Sequence, residues 1–82
     1  MVVFTRQAAK DGKLLSQSGL DRRAKAIISQ LRSDPFAPPY ERLRGDLAGA
    51  YSRRINPQHR LVYEVHLDVR TVKVLRNSTH YE

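Results

Sequence analysis

The sequence predicts an α+β domain: one strand, two helices and then a three-stranded antiparallel meander, with the helices packed on one face of the sheet. Three observations carry this expectation. Apolar residues recur at helical spacing up to Leu31, a proline-rich stretch comes next, and beyond Ala50 the apolar pattern becomes alternating. Eighty-two residues allow one such domain, spanning 1–82, and no second. A hydrophobic fraction of 40% supplies a modest core.

Val2-Val3-Phe4 reads as a short strand, with Thr5 as the N-cap of a first helix. Ala8, Ala9 and Leu15 suggest the apolar stripe of that helix. Gly12 costs about 1 kcal/mol relative to Ala inside a helix, so a short or irregular helix is expected. Ser18-Gly19 breaks the pattern. Leu20, Ala24, Ile27, Ile28 and Leu31 then share one helical face, and Ser33-Asp34-Pro35 ends that second helix. Phe36 to Arg44 reads as a proline-stiffened loop anchored by Leu43 and Leu47, with Gly45 and Gly49 allowing tight turns. Tyr51 to Ile55 is the next strand, Asn56-Pro57-Gln58 its turn, and His59 to His66 the return. Leu67 to Arg70 turns again before a last strand over Thr71 to Leu75.

Charge then narrows the function. Fifteen Lys+Arg against eight Asp+Glu give +7, and the cations are 11 Arg to 4 Lys. Arginine's planar fork grips phosphate and carboxylate in a way lysine does not, so nucleic acid or an acidic protein is the expected partner. The chain has no cysteine, which excludes disulfides, a thiol nucleophile and Cys-ligated zinc. No apolar run is long enough to cross a membrane and no signal-peptide pattern opens the chain, so a cytoplasmic protein is expected.

A hairpin turning symmetrically about Pro57 sets Arg54 opposite Arg60 and Tyr51 opposite Tyr63. Tyr51, Ile55, Leu61, Tyr63 and Val65 then face the core, and the two arginines share the other face. Like charges directly across a sheet are destabilising, and an anion bound between them reverses the sign. The alternative is that the heads splay into water, or that Glu64 or Asp46 screens them. Glu41 with Arg44 precedes this hairpin, and His80-Tyr81 ends the chain but for one residue. Acid–base cleavage of RNA needs a base for the 2′-hydroxyl, cations at the phosphorane and an acid for the 5′-oxygen. Glu, Arg and His are suitable types, and no metal or cofactor is called for. These residue types equally suit a passive RNA-binding face. His59, His66 and His80 lack metal-ligand spacing, Gly45-x-x-x-Gly49 lacks the Lys-Ser/Thr of a phosphate loop, and Ser52 and Ser78 lack a nucleophile's setting.

The residues Tyr40-Glu41-Arg42-Leu43-Arg44-Gly45, Ser52-Arg53-Arg54-Ile55, His59-Arg60-Leu61-Val62-Tyr63 and His80-Tyr81 closely resemble the YoeB/Txe toxins of the RelE superfamily. The resemblance covers essentially the whole chain and implies a RelE-like, microbial-ribonuclease-like fold. It implies a toxin that enters the ribosomal A site and cleaves mRNA, leaving a 2′,3′-cyclic phosphate and a 5′-hydroxyl. It further implies an acidic YefM/Axe-type antitoxin as partner, operator DNA bound only by the toxin–antitoxin complex, and dimers as a possible assembly. Carried over by position, Glu41 is the general base, His80 the general acid, and Arg60 and Arg54 stabilise the phosphate. Arg44, at the basic position after Glu-x-Leu, joins them in binding the substrate phosphate, as does Tyr81, which also helps position the substrate or His80. Two positions depart from the family pattern: Asn77-Ser78 stands where bulky residues are usual, and Tyr51 where many relatives carry Trp. The first is expected to loosen His80 or change base stacking, which keeps open an alternative, a catalytically weak basic module that binds its antitoxin and operator.

Overall fold

In the computed structural model, which describes residues 1–19 and 21–80 (backbone alone for Ser18, Asp21 and residues 78–80), the chain runs in seven regular elements. They are β1 (Val2–Phe4), α1 (Arg6–Ser18), α2 (Asp21–Ser33), β2 (Glu41–Arg42), β3 (Tyr51–Arg54), β4 (His59–His66) and β5 (Thr71–His80). Single 3-10 turns occupy Gly45–Leu47 and Leu67–Val69. The strands form one sheet in the order β1-β5-β4-β3-β2, antiparallel except that β1 runs parallel to β5. Ala8 and Leu15 of α1 and Ala24, Ile27 and Leu31 of α2 are buried against Leu61, Tyr63, Val72 and Val74 of the sheet and Ile55 just past β3.

The first helix corrects the expectation of a short or irregular one. It runs for 13 residues through Gly12 because both ends are capped and its inner face is held by the sheet. Thr5 Oγ accepts from the Ala8 N–H at 3.0 Å while its own hydroxyl donates to the Leu75 carbonyl at 2.8 Å. Gly19 closes the helix in the left-handed region, at φ 79°, where a Cβ would be strained. The buried stripe is also different from that expected. Ala9 is exposed, and Asp11, one turn after Ala8, takes the inward position at 3% exposure.

The second helix ends where expected, and Asp34 Oδ1 accepts from the Phe36 N–H to start the turn after it. Leu20 lies outside the described residues. Two further corrections concern the sheet. The proline-rich segment is not all loop, because Glu41 and Arg42 pair with Ser52 and Tyr51 as a fifth strand. Leu43 is half-buried as expected, but Leu47 is 42% exposed and anchors nothing. The last strand does not stop at Leu75 but continues to His80, with register shifts opposite Arg60/Leu61 and Val62/Tyr63. Each shift leaves one residue of β5 without an opposite number, first Leu75 and then Ser78, as in a β-bulge.

Candidate functional site

The hairpin that presents the two arginines is fixed by its own turn. Asn56 Oδ1 accepts from the Gln58 and His59 N–H groups at 2.8 and 2.7 Å, and the Ile55 N–H donates to the His59 carbonyl at 2.9 Å. This sets Arg54 opposite Arg60 and Tyr51 opposite Tyr63, the register expected from the sequence. Glu41 pairs with Ser52 on the next strand, so Glu41, Ser52, Arg54, Arg60 and Val62 belong to the face away from the helices.

On that face Arg60 Nη1 donates to Glu41 Oε2 at 2.8 Å and to Ser52 Oγ at 3.4 Å. The Glu41 side chain is 60% exposed, so the pair stands open to a ligand. The hydrogen bond and charge of Arg60 hold the Glu41 carboxyl below the usual glutamate range; slight desolvation opposes this and the Arg54 charge reinforces it. Glu41 is therefore a carboxylate at neutral pH. The screening of Arg60 by Glu64 is not what happens, since Glu64 Oε1 is engaged with His66 Nε2 at 3.1 Å.

The strand that carries Glu41 is braced by aromatic rings. Tyr40 and Phe36 each meet Tyr51 edge-on at 5.6 Å, and Tyr51 stacks on Tyr63 at 5.7 Å. Tyr63 donates its hydroxyl to the Pro35 carbonyl at 3.3 Å, and burial pushes its phenol up to about 12, so it is structural rather than acid–base equipment. A pocket lined by Pro39, Tyr40, Glu41, Ser52, Arg53 and Arg54 opens beside the ion pair.

Of the residues expected at the site, Glu41, Arg54 and Arg60 come together. Arg44 is exposed at the entry to the Gly45–Leu47 turn and does not line that pocket. The backbone of His80 lies opposite His59, and that of Thr79 opposite Arg60, so β5 brings the end of the chain to the same margin of the sheet. The His80 side chain and Tyr81 lie outside what is described. Among the described residues no helix is long and apolar enough to cross a membrane, and no three His, Cys, Asp or Glu side chains are grouped to hold a metal ion.

Sequence reasoning missed three polar residues, each with a signal in the alternation. Ser52 is two residues from Arg54 and so shares its face. Arg53 is two residues from both Tyr51 and Ile55, which turns it inward, and it is only 8% exposed. Asp11 is three residues after Ala8 and four before Leu15, which puts it on the buried stripe of α1. It accepts from Arg76 Nε at 2.9 Å, the Asn77 N–H at 2.9 Å and Gln7 Nε2 at 3.1 Å. Burial alone would raise its carboxyl, but these bonds outweigh burial and hold it below the ordinary aspartate range. The Asn77 backbone is thus tied to α1 at the strand's bulged half, while the Ser78 and His80 side chains, on which the expected loosening bears, lie outside what is described.

A family model described as the YoeB-like toxin of bacterial type II toxin–antitoxin systems matches residues 4–81. Among curated proteins, Toxin YoeB of Mycobacterium bovis is 40% identical over 62 residues, which cover 73% of this chain and 71% of that one. Among solved structures, a YoeB/ParE toxin from Agrobacterium tumefaciens matches with a TM-score of 0.87 at 30% identity, covering 98% of each chain. A chain of the YoeB-YefM complex from Staphylococcus aureus matches with a TM-score of 0.82 at 29% identity, covering 99% of this chain and 97% of that one.

Proposed function

This chain belongs to the YoeB-like toxin family of bacterial type II toxin–antitoxin systems, and on that premise we propose that it is an endoribonuclease that cleaves mRNA in the ribosomal A site. The observation that supports this reading best is the 2.8 Å pair of Arg60 and Glu41, open to solvent beside Arg54. An ionised carboxylate can take the proton of a 2′-hydroxyl, and two guanidiniums on the same face can hold the phosphate that the resulting oxyanion attacks. In the proposed reaction the phosphate displaces the Glu41 oxygen as the partner of Arg60, which frees the carboxylate to act as base. The 2′-oxygen bonds to phosphorus, the P–O5′ bond breaks, and His80 supplies the proton to the departing 5′-oxygen. The products are a 2′,3′-cyclic phosphate and a 5′-hydroxyl. Tyr81 steadies His80 or the flanking base, and Arg44 contacts the RNA beyond the reacting phosphate. An acidic antitoxin of the YefM type holds the toxin inactive in the cytoplasm, and the complex binds operator DNA.

The weak-module alternative rests on Asn77-Ser78 loosening His80 or changing base stacking, and the Ser78 and His80 side chains lie outside what is described. The Asn77 N–H bond to Asp11 holds the strand that leads to them. Purified ribosomes programmed with a defined mRNA provide the test, with cut ends mapped and their termini identified. The parent protein is expected to cut within the A-site codon and leave a cyclic phosphate. Glu41→Gln, Arg60→Ala and His80→Ala are each expected to reduce the rate by about a hundredfold or more while retaining the folded spectrum. A parent protein that leaves the mRNA intact at every concentration would identify the non-catalytic binder.

A further inference from the structure

The Glu41–Arg60 pair rests on a buried hydroxyl. Ser52 lies within β3 on the face away from the helices, directly across from Glu41 on one side and Val62 on the other. Although that face is the open one, Ser52 is fully buried. An enclosed strand position suits a β-branched or aromatic residue, and a hydroxyl there is costly unless it is bonded. Ser52 Oγ accepts from Arg60 Nη1 at 3.4 Å, and the same nitrogen donates to Glu41 Oε2 at 2.8 Å. One guanidinium nitrogen thus faces two acceptors, a charged one that is mostly exposed and a neutral one that is enclosed.

The two acceptors differ in whether they can leave. In the proposed cleavage Glu41 gives up Arg60 to take the 2′-hydroxyl proton, at the moment when the guanidinium is needed at the phosphate. An arginine released by its carboxylate regains the rotamer freedom of a long side chain and loses its aim. Ser52 stays, because its backbone is paired on both sides and a single torsion places its oxygen. We propose that Ser52 is a positioning residue, which keeps the Arg60 guanidinium aimed at the scissile phosphate once Glu41 has let it go. A neutral acceptor suits this role, since it holds the cation without cancelling the charge that the phosphate needs. The 3.4 Å contact is long, and it has room to shorten as Glu41 withdraws, because hydrogen bonds in unliganded sites commonly tighten when the reacting complex forms. The inference rests on the proposed cleavage chemistry and adds to it a group that touches no reacting atom.

The test reads the Arg60 side chain directly, by 15N relaxation of its Nε–H in the full chain. Glu41→Ala is expected to leave Arg60 nearly as ordered as in the parent. Adding Ser52→Ala is expected to loosen it to the level of the exposed Arg22. Arg60 already that loose in Glu41→Ala, or still ordered in the double variant, overturns the assignment. Cleavage on programmed ribosomes supplies the second reading. Ser52→Ala is expected to cut about five- to tenfold more slowly at saturation, with KM unchanged, and to add no loss in an Arg60→Gln background. An equal further loss in that background overturns the assignment, because the hydroxyl then acts otherwise than through Arg60. Should Ser52→Ala fail to fold, Ser52→Cys, alike in shape but a weak acceptor, takes its place. A parent that leaves the mRNA intact refutes the cleavage reading by itself, while the relaxation measurement still decides whether Ser52 holds Arg60.

Discussion

Replacing Asp11 by alanine should cost more stability than its place on a surface helix suggests. The carboxylate is buried and accepts three hydrogen bonds shorter than 3.2 Å, from Arg76 Nε, the Asn77 N–H and Gln7 Nε2. Arg76 and Gln7 are exposed and turn to water once the carboxylate is gone, so their loss costs little. The Asn77 N–H has no such escape, because its residue is 6% exposed. A buried donor that loses a charged acceptor costs about 1.5–3 kcal/mol, and the cavity left by the side chain adds roughly 1 kcal/mol. Alanine's better helix propensity returns about 0.6 kcal/mol. The net expectation is a loss of about 2–3 kcal/mol, or roughly 10–20 °C in the unfolding midpoint of a domain this size. Asp11→Asn keeps an oxygen for the Asn77 N–H and should cost about half as much. Urea unfolding of the three proteins at pH 7 measures these differences, and amide exchange at Asn77 reports the strand itself. A loss under about 1 kcal/mol for Asp11→Ala, or equal losses for Ala and Asn, would refute the bracing role. The pH dependence adds a check. The Asp11 carboxyl titrates lower in the folded chain than in the unfolded one, so its contribution is present above the ordinary aspartate range and is lost as pH falls through the folded value.

Three other outcomes are expected. In an NMR titration the Glu41 carboxyl should have its midpoint below the usual glutamate range, and Arg60→Gln should raise it; a midpoint that ignores Arg60 would break the proposed pairing. Glu41→Gln should leave the unfolding midpoint nearly unchanged, since the side chain is mostly exposed and its ion pair is a surface one. Thr5→Ala should cost about 1–2 kcal/mol through the lost helix cap and the lost bond to Leu75, and Thr5→Ser should restore most of it, both read from urea unfolding.

The order of helices and long strands was legible because periodicity reports one-sided burial directly. Ala24, Ile27 and Leu31 and the Arg54–Arg60 register came out as expected for that reason. The sequence pattern ends β5 too early because alternation is a phase, and its two register shifts change the phase. Val74 and Asn77 both face inward although they are three positions apart. β2 escaped notice because two residues between Tyr40 and Leu43 have no period to show. Arg53 and Asp11 were missed for a different reason. Alternation and helical spacing both turned them inward, but a charged residue discourages that assignment unless its partner is known, and the β5 partners of Asp11 lie 65 and 66 residues away. The Glu41–Arg60 contact likewise reaches across β3, between two strands that only the tertiary fold brings within side-chain reach.

The two-residue length of β2 has a bearing on control. Glu41 is attached to the sheet through two register positions on β3, while its partner Arg60 sits on a strand paired along both sides. Apart from the Tyr40 ring on Tyr51 and the Leu43 N–H on the Ala50 carbonyl, only those two positions hold residues 40–44 to the sheet among the described residues, so the carboxylate sits on its most briefly paired strand and the guanidiniums on longer-paired ones. In the proposed chemistry, anything that draws the 40–44 segment aside separates the Glu41 carboxylate from the phosphate held by Arg54 and Arg60 while the core stays folded. Silencing the proposed nuclease then requires the free energy of lifting a flap, not that of dismantling a domain, and the reverse step restores it without refolding.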